Sequence, residues 1–72
     1  MSTAALVSQQ VRTLRTGAGL SQEQLAVKAG LSSATVGRIE AATHTPSLAT
    51  LAKLAEALGV TVAQLVADAG AS

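Results

Sequence analysis

The sequence predicts an all-α fold, five short helices around one aliphatic core, and three observations carry that prediction. Leucine, valine and alanine recur three and four residues apart along most of the chain. Ser21, Ser32, Ser47 and Thr61 each stand just ahead of such a stretch, where a helix start needs a side-chain acceptor. No segment alternates apolar and polar residues in the manner of a half-buried strand.

The first helix is marked by Val7, Val11 and Leu14, with Gln9, Gln10, Arg12, Thr13 and Arg15 between them, and Gly17 and Gly19 close it. Ser21 and Gln24 form a capping box for the second, and Leu20 stands at staple distance from Leu25. Gly30 then supplies the left-handed residue that ends this helix near Ala29. Ser32 caps a third helix of about residues 32–41, with Leu31 and Val36 repeating the staple. "AATHTP", Ala41 to Pro46, reads as a loop, because Pro46 biases Thr45 away from helical geometry. Ser47 caps a fourth helix whose Leu48, Leu51, Leu54, Ala55 and Leu58 share one face, and Gly59 ends it. Thr61 with Gln64 repeats the capping box for a fifth helix running to about Ala67, and residues 68–72 read as a frayed tail.

Composition narrows the function classes. With 72 residues the chain reads as a single small domain, one that buries only roughly 60% of its unfolded surface. There is no aromatic residue and no cysteine, so aliphatic packing must hold the fold without disulfides or thiolate metal sites. No apolar run nears the ~20 residues of a membrane span, and "MSTAALVSQQ" lacks the pattern of a signal peptide, which makes the cytoplasm the expected location. One histidine and four carboxylates, Glu23, Glu40, Glu56 and Asp68, show no nucleophile–base or metal-ligand spacing. No catalytic residue, metal, cofactor or small-molecule ligand is expected. A net charge of +1 is too mild to indicate a polyanionic partner by itself. Any nucleic-acid reading must therefore rest on motif and placement.

Two helices joined by a tight glycine-containing turn, as around Gly30, form a helix-turn-helix, in which one helix crosses the DNA backbone and the next enters the major groove. The sequence resembles the phage-repressor and Cro-type (Xre-like) helix-turn-helix family over roughly Val11 to Val66. The resemblance is carried by "LR" at Leu14–Arg15, "GLSQEQLA" from Gly19, "AGLSSATVGRIE" from Ala29, "PSLATLAKLAEALGV" from Pro46 and "VAQL" near the end. It implies a compact five-helix, lambda-repressor-like DNA-binding domain with a central helix-turn-helix. The implied activity is sequence-specific transcription regulation, with repression the expected direction.

By that resemblance the second helix sets its amino end on a phosphate through Gln22 and nearby N–H groups, as helix-terminus electrostatics independently favours. The third is similar to a recognition helix. Its candidate DNA-binding residues are Ser32, Ser33, Ala34, Thr35, Gly37 and Arg38, while Val36 and Ile39 face inward. Arg38 is the natural base reader, since a guanidinium pairs with O6 and N7 of guanine; the plainer reading is a solvated charge. Ser33 and Thr35 serve equally well as first-turn residues or DNA contacts, and Ala34 reaches only a thymine methyl. Arg12, Lys28, Thr43 and His44 are candidate phosphate contacts or simply solvated groups. The resemblance also pairs Arg15 with Glu40 as an ion pair between the first and third helices.

The sequence departs from the family pattern after Glu40, where a glycine and often a lysine usually precede the proline. Here Ala42 and Thr43 stand instead, and the steric cost of a left-handed alanine favours a different loop path. Gly37 costs its helix about 1 kcal/mol against alanine and either admits close DNA approach or is a tolerated weakness. The expected partner is double-stranded DNA with a palindromic operator, bound as a homodimer, with Val62, Leu65 and Val66 as the candidate seam. The alternative is a protein-interaction module, antitoxin-like or adaptor-like, in which Arg12, Lys28 and Arg38 need not share one face.

Overall fold

Every helix start is occupied by the side chain the sequence offers. The structure, a computed structural model, describes residues 2–66. Its helices are α1 (Thr3–Gly17), α2 (Gln22–Ala29), α3 (Ser33–Glu40), α4 (Leu48–Leu58) and α5 (Val62–Val66). Ser21 Oγ accepts the Gln24 N–H while the Gln24 amide oxygen accepts the Ser21 N–H, completing the capping box. Ser32 accepts from Thr35 N–H, Ser47 from Thr50 N–H, and Thr61 exchanges the same pair of bonds with Gln64. Helix α1 begins earlier than its apolar spacing marks, because Ser2 also caps, accepting the Ala5 N–H at 3.2 Å. The expected end of α5 at Ala67 and the tail 68–72 lie outside the described residues.

The helix ends separate into two kinds of residue performing one task. Gly30, at φ +69°, lets the Leu31 N–H reach back to the Ala26 carbonyl at 2.8 Å, closing α2. The same bonding pattern closes α3, with Ala42 N–H on the Ile39 carbonyl at 3.0 Å and Thr43 N–H on the Arg38 carbonyl at 3.3 Å. Ala42 supplies the left-handed residue there, at φ +59°. The expectation of another loop path is thus corrected. Three hydrogen bonds to Arg38 and Ile39 carbonyls, counting the Thr43 hydroxyl at 3.1 Å, outweigh the steric cost of one left-handed alanine.

Helix α1 lies against α3 and α5, α2 against α3 and α4, and α4 against α5. The shared core contains Val7, Val11, Leu25, Val36, Ile39, Leu51, Leu54 and Leu65, with Ala26 and Ala55 where helices approach closely. Fully burying each large side chain stabilises the fold by about 1.5–3 kcal/mol. Leu48 corrects the expected α4 stripe, since it is 72% exposed although it shares the face of Leu51 and Ala55. It is the first residue of α4, at the end of the stripe. Leu65 is wholly buried and finishes the core, so it cannot also form an outward seam; Val66 remains 38% exposed.

Candidate nucleic-acid interface

Helix α3 presents two faces of different chemistry. Val36 and Ile39 are buried, whereas Ser33, Ala34 and Arg38 are exposed, and Thr35 and Gly37 lie between. Arg38 makes no side-chain hydrogen bond or ion pair among the described residues; only its carbonyl is used, by Thr43. Ser32 and Thr35 face each other across the first turn, hydroxyl to hydroxyl at 2.8 Å. Both are therefore engaged in the cap. Ser33 and Ala34 have no such engagement.

At the other end of α3, Glu40 is the one buried charged residue among those described, with its side chain only 1% exposed. Arg15 from α1 binds it in a fork, Nε to Oε2 at 2.6 Å and Nη2 to Oε1 at 2.9 Å, and donates its remaining Nη1 to the Leu20 carbonyl at 2.8 Å. Gln22, at the start of α2, donates Nε2 to Oε1 at 3.2 Å. Arg12 approaches the same oxygen at 3.6 Å and also donates to the Glu40 carbonyl at 3.3 Å, which in turn accepts the Ser8 hydroxyl. One carboxylate thus ties α1, the start of α2 and the end of α3.

Burial alone would push the Glu40 carboxyl up. Hydrogen bonds from Arg15 and Gln22, with the charges of Arg15 and Arg12, outweigh it and hold the carboxyl below the usual glutamate range. The Arg15 guanidinium moves up, chiefly through its hydrogen bond to Glu40, against burial and with the carboxylate charge adding to the shift. Two arginines against one carboxylate leave the cluster one positive charge, beside the amino end of α2.

Residues 11–65 match the helix-turn-helix family model. The chain belongs to that family. It is 48% identical over 63 residues to an uncharacterized HTH-type transcriptional regulator, RghRB, of Bacillus subtilis, covering 86% of this chain and 45% of that protein. It is 40% identical over 62 residues to the immunity repressor protein of Bacillus phage phi105, covering 86% of this chain and 43% of the repressor. The chain therefore spans less than half the length of these two relatives. The crystal structure of a hypothetical transcription factor, NHTF, from Neisseria superposes with a TM-score of 0.93 at 31% identity, over 97% of this chain and 80% of that one.

Within this helix-turn-helix, the predicted residues fall into groups. Gln22, Gly37 and Arg12 gather around Glu40 and Arg15; a Cβ placed on Gly37 would lie 3.7 Å from Gln22 Oε1. Thr43 is bonded back to Arg38, and His44 is exposed and unbonded among the described residues. Lys28 stands outside the Glu40 cluster, lining an open cleft of about 490 Å³ with Val27, Lys53, Glu56 and Ala57 between α2 and α4. Sequence reasoning misses Ser8 and the Gln22–Glu40 bond. A signal for the first is present: Ser8, Arg12 and Arg15 repeat at helical spacing one residue behind the core stripe Val7, Val11 and Leu14.

No helix among the described residues is long and apolar enough to cross a membrane.

Proposed function

We propose that this domain is a sequence-specific DNA-binding transcription regulator, a repressor by its likeness to the phage immunity protein, that reads the major groove with α3. The observation that carries the reading is the exposed, unengaged Arg38 on the outward face of α3. Arg38 reads a guanine edge, Ser33 and Ala34 contact the neighbouring base or methyl, and Gln22 with the amino end of α2 holds a phosphate. Arg12 strengthens that phosphate contact through the surplus charge of the Glu40 cluster. Thr35, Ser32 and Gly37 shape the approach, and Thr43 and His44 border the backbone. Lys28 lies apart from this group, which is the one placement that favours a protein-interaction surface.

The domain binds as a homodimer on a palindromic operator, with half-sites about 34 Å apart, in the cytoplasm. Selection of duplexes from a random DNA pool by the purified protein tests the reading. A two-fold symmetric enriched motif supports it. Recovery of no motif at any salt concentration would leave the protein-interaction module as the better account, and one protomer per selected duplex at saturation would remove the dimer.

A further inference from the structure

Glu40 is buried for a purpose that an ion pair alone does not explain, because its carboxylate also accepts a hydrogen bond from a residue at the surface. Gln22 is exposed, yet its Nε2 reaches inward to Glu40 Oε1 at 3.2 Å. A carboxylate only accepts, so this contact fixes which end of the Gln22 amide turns inward. The Gln22 amide passes close to Gly37: the nearest atom to a Cβ built there is Gln22 Oε1 at 3.7 Å, an ordinary contact distance. Glu40 in turn is anchored by the Arg15 fork through its carboxylate and by Ser8 and Arg12 through its carbonyl. An amide nitrogen carries two hydrogens. Glu40 takes one, and the other has no acceptor among the described residues.

Resting on the DNA-binding reading above, we propose that Glu40 is a positioning residue for DNA contact: it holds the Gln22 amide with one N–H inward so that the second meets a phosphate oxygen. An exposed glutamine without such an anchor is ordered only when DNA binds, and that ordering weakens the complex by about three- to ten-fold. Glu40 thus contributes to affinity without touching DNA.

A double-mutant cycle on the full chain tests this, read by fluorescence anisotropy on the selected duplex. Arg15→Met with Glu40→Leu replaces the pair by apolar groups of similar size, so no buried charge is left alone. In the native background Gln22→Met weakens binding several-fold; in the Arg15→Met, Glu40→Leu background it has little further effect. Equal factors in both backgrounds overturn the proposal and leave Glu40 purely structural. A measurement on the unaltered, DNA-free protein stands beside it. The Gln22 side-chain amide should show the fast-timescale order of the cap residues Gln24 and Gln64, whereas the exposed, unbonded Gln9 should be mobile. Gln22 as mobile as Gln9 overturns the proposal even if the variant fails to fold. If the native protein enriches no duplex, the DNA-binding reading falls and this one with it; selected binding with an additive cycle removes the positioning role alone.

Discussion

Around Glu40, three helices are joined through hydrogen bonds to a single residue; where α4 meets α5, Leu51, Leu54, Leu58 and Leu65 belong to the apolar core shared with α1 and α2. Apart from the Thr61 cap, the one side-chain hydrogen bond that reaches α5 from another element among the described residues is Gln10 Nε2 to the Gln64 carbonyl, and it is exposed. Hydrogen bonds are directional and charge-assisted ones strongly so, whereas apolar burial is not. The contrast indicates a division of labour. Directional contacts at Glu40 add to apolar packing in fixing how α2 and α3 meet, the geometry on which the proposed DNA reading depends, and the far side supplies bulk stability.

The largest test of that contrast is Glu40→Ala, which leaves Arg15 with a charge only 14% exposed and no carboxylate to pair it, and should cost about 3–5 kcal/mol in denaturant unfolding. Glu23→Ala, at an exposed site, should stay within about 0.5 kcal/mol, and equal losses for the two would erase the distinction. Leu54→Ala breaks the other half by leaving a cavity, at about 2–5 kcal/mol. The two halves differ further in acid. Because the folded Glu40 carboxyl titrates below its unfolded value, its stabilisation is fully present above the ordinary glutamate pKa of about 4.3 and is lost as pH falls through the folded value. Acid unfolding curves of the Leu54→Ala protein should keep that pH dependence, whereas Arg15→Met with Glu40→Leu should flatten it.

A smaller effect, on binding, separates reading from positioning. Arg38→Ala should lose about 1–3 kcal/mol on the selected duplex and much less on a scrambled one. Gln22→Ala should weaken both alike and barely change the slope of log affinity against log salt, since glutamine is neutral and only removal of a cation from a phosphate flattens that slope, by about 0.9. Anisotropy across several salt concentrations decides. If Arg38→Ala flattens the slope and weakens both duplexes by one factor, Arg38 is a phosphate clamp. One small expected change is a gain: Ala42→Gly relieves the left-handed alanine and should raise stability by about 1 kcal/mol, a shift in the thermal midpoint of several degrees.

These contrasts also explain which features are legible in the sequence. Caps are legible because Ser21 and Gln24, or Thr61 and Gln64, are three residues apart and need no tertiary context. Leu48 is misplaced by periodicity, which gives the direction of a side chain but not whether a neighbouring helix extends beneath it. Ala42 is misplaced by propensity, which counts the steric cost at one residue and not the bonds that the next residues gain. At the site, Arg38 and Gln22 follow from motif position and the Arg15–Glu40 pair from resemblance. The bond between Gln22 and Glu40 spans 18 residues and depends on how α2 crosses α3, an angle no local pattern encodes.

The packing of α1 on α5 has a consequence for how the chain acquires its structure during synthesis. Helix α5 has five residues, too few to persist as an isolated helix, so it forms only as Leu65 docks into the cluster that holds Val7 and Val11. The segment made first therefore waits for the segment made last of those described. Until residue 65 has been made the nascent chain carries an unsealed aliphatic face, and the last described turn of helix acts as the latch that closes it.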